Sequence, residues 1–523
     1  MKPLTLLSGV AFCLIWSLEI NGKIQNNKNQ PYRLLYGPTY PIQKAIETVP
    51  ILIQSLITKP TITSNNAQKI TIRHTPNNEL CEQEKIFIQK RLEKITHAYK
   101  TLRITTPPRI AICLSGGGLR ALFCSLGFLQ GLSDAGILQT TSYVSCLSGS
   151  TWTIAPWIAQ GNSLHEYENF LKYRFTNGLS SFATQVAKPL LQTFISNALQ
   201  GPSCNGADIF GYLLAQALLP TSKTTINFSQ AHETLSAQTH PFPIYTAIST
   251  NIRPYEWIEI TPYEIGSYSR KIYAPILASN SKFENGICLQ LTKEKTLSFF
   301  LGLFGSAFCV NSHDILEHTA PQLITLKESL PHIIRRTAAL ALWILLGKPW
   351  HQNRLLPGTI PNFMYKFGAH ALSTETELTL VDAGIECNLP LLPLFHPNRT
   401  IDLIITYDVS AGIQGTELKK ALHQAEKNGY ISLQKKRTPA NDLSHYQLKL
   451  SNGHTTNLLY IPWEQTDISM IPQGYTSTTN FTYLPDQIST LCTLGRSTAQ
   501  AHAKTIWNSI EECLKREDPH RPT

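Results

Sequence analysis

Charge is scarce in this chain. Only 15% of its 523 residues are Asp, Glu, Lys or Arg, against 42% apolar, and the 35 acids are outnumbered by 45 bases. So low a charged share excludes a largely disordered chain and suits a large buried core with some exposed apolar surface. The eleven cysteines form no C-x-x-C pair, and the sixteen histidines form no H-E-x-x-H, so neither zinc chemistry nor any other metal is expected. No Gly-Lys-Ser/Thr follows a glycine turn, which argues against a nucleotide site. The net charge of +10 favours anionic partners, but the bases are not interleaved with stacking aromatics. A lipid surface fits that charge, and nucleic acid is not expected. No apolar run is long enough to span a bilayer: Leu4 to Trp16 and Ala338 to Gly347 both fall short.

What is present centres on Arg109 to Trp157. A buried strand is expected over Ile110 to Leu114, followed by the turn Ser115-Gly116-Gly117-Gly118. Leu119, Leu122, Leu126, Leu129 and Leu132 then recur at helical spacing until Gly136 stops them. A second strand, Tyr143 to Leu147, runs into Ser148-Gly149-Ser150 and another helix. A serine on a sharp strand-to-helix turn presents its Oγ outward. It needs a base to become a nucleophile, and the acyl oxygen it attacks needs donors already in place. Glycine amides at a helix start can be those donors. The plainer readings are a phosphate loop for the first turn and an N-cap for Ser148.

A base is available at the end of the apolar run Leu378 to Val381, where Asp382-Ala383-Gly384 makes a small-residue turn. Asp382 read alone is equally a turn residue. Asp408, at the end of the strand Ile401 to Tyr407, is its rival. Asp208 and His232 are read as surface residues, and Cys113, Cys124 and Cys146 as small buried hydrophobes.

Seven ordered segments carry a resemblance: SGGGLRA, CLSGSTW, EWIEITPYEIG (Glu256–Gly266), LGLFGSAF (Leu301–Phe308), NFM (Asn362–Met364), the run from VDAG through IDLIITYDVSA, and FTYLPDQ (Phe481–Gln487). Together, over roughly Leu80 to Leu514, they resemble the catalytic domain of the cytosolic phospholipase A2 and lysophospholipase B (patatin-like) family. The resemblance implies an α/β fold, three-layer α/β/α with a central mostly parallel sheet and a helical cap. It implies a phospholipase or lysophospholipase that releases fatty acid through an acyl-serine, with no cofactor. Ser148 would be the nucleophile and Asp382 the general base, without a histidine. Gly117 and Gly118 would form the oxyanion hole, and Arg120 would steady phosphate or developing charge. The chain departs from the pattern at Cys146, where the family has glycine, and at Ala383, where it has serine or glycine. A lysophospholipid transacylase and a catalytically weak lipid-binding module are the alternatives.

Around that unit, residues 1–22 resemble a signal peptide, with Lys2 ahead of an apolar stretch, so export to a membrane surface is expected; a cytoplasmic, peripheral location is the alternative. Residues 23–78 read as a basic arm or linker, with seven bases facing the single acid Glu47. The catalytic domain is expected over 79–515 with a cap insertion at about 279–364, where Trp343 and Trp350 are candidate interfacial residues, and 516–523 as a frayed tail. The partner expected is a phospholipid membrane or micelle.

Overall fold

A computed structural model describes residues 70–98, 107–176, 206–309, 358–437, 444–463 and 483–517. All fall in one compact unit of residues 69–182, 206–310 and 357–523. The strands among the described residues are β1 (Arg73–His74), β2 (Ile110–Leu114), β3 (Thr141–Cys146), β4 (Phe242–Ser249), β5 (Glu256–Ile260), β6 (Glu264–Ser267), β7 (Ile272–Pro275), β8 (Lys282–Glu284), β9 (Ile287–Gln290), β10 (Gly358–Pro361), β11 (Glu377–Asp382), β12 (Leu403–Asp408), β13 (Ile431–Arg437), β14 (Ser444–Leu450) and β15 (Thr455–Pro462). The longer helices are α1 (Glu82–Ala98), α2 (Gly118–Asp134), α3 (Thr151–Gln160), α4 (Leu164–Thr176), α5 (Gly206–Leu218), α6 (Leu297–Phe304), α7 (Thr416–Lys427) and α8 (Pro485–Glu517).

Five parallel strands, in the order β4-β3-β2-β12-β15, form the centre of a 13-stranded sheet. Every residue of β2, β3, β4 and β12 is buried, as strands covered on both faces must be. Antiparallel strands extend the sheet on both flanks, β5-β6-β7-β1 beyond β4 and β14-β13 beyond β15. The mostly parallel character is therefore confined to the centre. Alternation along a strand separates the faces. Phe128 of α2 stacks on Tyr407 at 4.1 Å between ring centroids, which puts α2 on the face that Tyr407 presents. Tyr143 points the other way and meets Glu84 of α1. Helices thus cover both faces, giving the expected three layers.

The apolar stripe expected on α2 is only part of its buried surface, which runs almost continuously from Gly118 to Leu132. The cause is α8, which packs along α2 and also reaches the sheet at β12. The two backbones touch: a Cβ on Gly127 would lie 1.8 Å from the Cys492 carbonyl oxygen. Small residues at the crossing are what let two helices approach so closely.

The segment read as a basic arm ends inside the fold. Residues 70–78 supply the edge strand β1, and the Arg73 guanidinium pairs with Glu264 of β6 at 2.6 Å. Of the expected cap, Leu297 to Phe304 is the buried helix α6, packed on α5, so its apolar side chains are core. Ala338 to Gly347, Trp343 and Trp350 lie outside the described residues, as do residues 1–69 and 518–523. Among the described residues no helix is long and apolar enough to cross a membrane.

Candidate active site

The site is built on β4, which is longer than the strand beside it. β3 pairs with the first half of β4 in parallel and ends with Cys146 opposite Tyr245. β11 then takes the vacated edge from the other direction, antiparallel, and ends with Asp382 opposite Ala247. Two strands from distant parts of the chain therefore meet end to end along one edge of a third, and their last residues converge. Ser148 comes just past the end of β3 and Asp382 is the end of β11.

Ser148 has φ +50°, left-handed backbone that a non-glycine residue adopts only under constraint. Ser150 supplies part of that constraint. Its hydroxyl lies 2.8 Å from the Leu147 carbonyl and 3.0 Å from the Leu114 carbonyl, and its Oγ accepts the Leu147 N–H. The turn also presses against the glycines after β2. A Cβ on Gly149 would lie 1.9 Å from the Gly118 carbonyl oxygen, and one on Gly116 would lie 2.8 Å from the Ser148 Cβ. Gly117 (φ +139°) and Gly118 (φ +63°) take conformations that side chains resist. Gly118 opens α2, so its N–H has no carbonyl within the helix to bond.

The Ser148 hydroxyl lies close enough to the Asp382 carboxyl to favour its charged form. Asp382 is 1% exposed. Burial pushes its carboxyl up to about 7, although the Gly384 amide (2.8 Å) and the Ser148 hydroxyl pull it down. Its backbone N–H donates to the Ser306 Oγ at 3.3 Å, and Ser306 in turn donates to the Leu303 carbonyl at the end of α6. Leu147, Ile248, Val381 and Ala383 pack together as an apolar floor beneath. A hydroxyl beside a carboxylate in a largely buried site, with helix-start amides close by, can run acyl transfer.

The rival acid lies elsewhere. Asp408 accepts hydrogen bonds from the Ser410 amide (2.9 Å) and from the Tyr460 hydroxyl (2.8 Å). Arg120 is 1% exposed; its Nε donates to the Val409 carbonyl at 3.1 Å and its guanidinium lies over the Trp463 ring at 5.1 Å. A Cβ on Gly117 would come within 2.7 Å of that guanidinium, so Arg120 lies directly against the glycine turn. The Cys146 side chain is fully buried with its Sγ 3.7 Å from the Ile244 carbonyl, and the serine turn forms over it. Cys113 and Cys124 are buried as expected.

His232 is corrected. It is no surface residue but 4% exposed, with Nδ1 at 2.7 Å from the Phe228 carbonyl and Nε2 at 2.8 Å from the Tyr245 hydroxyl. Burial holds its imidazole down at about 4, so it is neutral. Its neighbours Phe228 and Tyr245 are apolar-run residues, and one histidine among polar neighbours gave no sign of this packing. Asp208, in the first turn of α5, is partly exposed. Ser306 and Asn388 lie within two of the segments that carry the resemblance, but a single serine and a single asparagine have no spacing that assigns them a role. Among the described residues no cluster of His, Cys, Asp and Glu could hold a metal ion.

Comparison with known proteins agrees with this architecture. The family model described as the lysophospholipase catalytic domain matches residues 110–425, more than half of the chain. Human cytosolic phospholipase A2 gamma is 27% identical over 417 residues, covering 64% of this chain and 75% of the relative. Mouse cytosolic phospholipase A2 gamma is 30% identical over 243 residues, covering 45% and 40%. Human cytosolic phospholipase A2 zeta is 29% identical over 387 residues; this chain spans only 45% of its length. Among solved structures, human GIVD cytosolic phospholipase A2 superposes with a TM-score of 0.69 at 18% identity, covering 86% of this chain and 69% of that one. At that identity the superposition speaks for the fold. Sequence match and fold together mean that the chain belongs to the lysophospholipase catalytic-domain family and is an enzyme of the phospholipase class.

Proposed function

We propose that the chain hydrolyses the acyl ester of a glycerophospholipid or lysophospholipid through Ser148 and Asp382, at a membrane or micelle surface. The observation that carries this reading is the convergence of β3 and β11 along β4, which brings Ser148, held at positive φ, to the buried Asp382 carboxyl. A carboxyl near 7 is well matched to take a proton in neutral solution and return it.

Ser148 Oγ attacks the acyl carbon while its proton passes to Asp382. The carbonyl oxygen becomes an oxyanion in front of the Gly117 and Gly118 amides. Arg120, pressed against that turn from beneath, adds positive potential there; being buried, it acts through the glycine backbone and not by reaching a phosphate in solvent. When the ester C–O bond breaks, the leaving alkoxide takes the proton from Asp382. Water then attacks the acyl-serine, Asp382 accepts its proton, and fatty acid leaves as Ser148 is re-protonated.

Fatty-acid release from mixed micelles of phosphatidylcholine and lysophosphatidylcholine, in EDTA, tests this. Wild type should be active, and Ser148→Ala and Asp382→Ala should fall to background, roughly 10³-fold or more. Full activity in either variant, or an inert wild type that is folded, sinks the reading. Glycerol added to the same assay separates hydrolysis from transacylation: acylated glycerol appears only if an alcohol competes with water for the acyl-serine.

A further inference from the structure

The two glycine amides can serve an oxyanion only if their peptide planes are held, and glycine backbone does not hold itself. We propose that Asn388 is the positioning residue that orients the Gly116–Gly117 peptide, and with it the Gly117 N–H. This rests on the Ser148–Asp382 reading above and adds a residue that no motif singled out.

Asn388 clamps Gly116 from both sides. Its backbone carbonyl accepts the Gly116 N–H at 3.2 Å, and its side-chain Nδ2 donates to the Gly116 carbonyl at 3.1 Å. In a trans peptide the carbonyl of one residue and the N–H of the next point in opposite directions. Drawing the Gly116 carbonyl toward Asn388 therefore turns the Gly117 N–H away from it. Asn388 is itself fixed, since its backbone N–H donates to the Glu417 carboxylate at 2.6 Å, in the first turn of α7.

The residue type follows from the proton directions. Nδ2 makes a second bond, to the Ser410 Oγ at 2.6 Å. The Ser410 hydroxyl is already donated to the Asp408 carboxylate, so Ser410 can only accept from Asn388. Two acceptors, the Gly116 carbonyl and the Ser410 oxygen, thus face one group, and only an NH₂ presents a hydrogen to each. This gives Asp408, the unsuccessful rival for the base, a place at the far end of the chain that orients the amide. An aspartate at 388 would have the same shape and the opposite effect, setting an acceptor against the Gly116 carbonyl.

The test compares wild type, Asn388→Asp, Asn388→Ala and Ser410→Ala of the full chain. Turnover is followed on phosphatidylcholine mixed micelles. Labelling of Ser148 by an alkyl fluorophosphonate is followed in parallel, because its P=O oxygen needs the same donors. For Asn388→Asp, kcat should fall roughly 10- to 100-fold, short of the 10²–10³ typical of deleting a donor, with KM within about twofold. The labelling rate should fall in parallel while the fraction finally labelled stays as in wild type. Asn388→Ala and Ser410→Ala should shift both rates the same way by less. A mere folding role predicts the reverse, a smaller labelled fraction whose rate is unchanged, and that result overturns the proposal. So does a wild-type kcat in Asn388→Asp. If wild type is not labelled at Ser148 at all, the dyad reading has failed and takes this inference with it.

Discussion

Asp382 carries its charge in a setting almost fully screened from bulk water, and both the rate and the stability of the protein should record that. The carboxyl, 1% exposed, is pushed up to about 7 from its usual 3.8. As a general base it must be ionised, so kcat/KM on phosphatidylcholine micelles should rise with pH along a single-group limb centred near pH 7. About a tenth of the plateau should remain at pH 6 and about a hundredth at pH 5. The same shift has a thermodynamic side. The folded state holds this proton more tightly than the unfolded chain does. The stability it contributes is fully present below about pH 4 and is lost as pH rises through about 7. A gap of about three units corresponds to about 4 kcal/mol in total. Asp382→Asn has no charge to bury. It should be inactive, yet its advantage in unfolding free energy over wild type should grow by that amount, most of it between pH 4 and 7. Urea unfolding of both proteins at pH 4.5, 6 and 8 measures the gap. A rate that is flat from pH 5 to 8, a limb near pH 4, or a stability difference that ignores pH would refute the reasoning.

Three further substitutions probe the scaffold around the dyad. Gly149→Ala places a methyl group 1.9 Å from the Gly118 carbonyl oxygen; it should cost about 1–3 kcal/mol in urea unfolding and displace the oxyanion turn, with kcat down roughly 10²-fold. Arg399, 1% exposed between Glu84 and Glu259, is bonded to both; Arg399→Ala leaves two buried carboxylates and should cost about 3–5 kcal/mol, against which a loss under 1 kcal/mol would count. Cys146→Gly installs the glycine that the resemblance leads one to expect two residues before the serine. It should lower stability by about 1 kcal/mol and leave kcat within about threefold, because the serine turn already forms over the thiol. A large gain in activity would instead favour a degenerate lipid-binding site.

The two strand-turn-helix units were legible because their signals are local: unbroken apolar runs, glycines where φ turns positive, and a helical stripe. Their chemistry was legible only in part. Asp382 and Asp408 both end apolar strands, and sequence cannot tell which strand runs parallel to its neighbour. In the fold β12 lies within the parallel centre and its aspartate meets Ser410 and Tyr460, whereas β11 comes in antiparallel beside the serine turn. That is a long-range pairing with no local trace. The buried setting of His232 and the parts played by Ser306 and Asn388 were hidden for the same reason, since each depends on groups supplied by other segments. Residues 70–78 looked like linker because a two-residue edge strand is too short to show a period.

The end-to-end meeting of β3 and β11 turns β4 into a ruler. The separation of serine and aspartate is read off three consecutive positions of one strand, Tyr245 to Ala247, whatever the chain does in between. Segments inserted between the two turns can therefore lengthen or diverge without retuning the dyad. Slippage of β11 by a single residue cannot be absorbed, since it would carry Asp382 to the opposite face of the sheet. Variation in such a chain should accumulate in the intervening loops and be forbidden in the register of one short antiparallel pair.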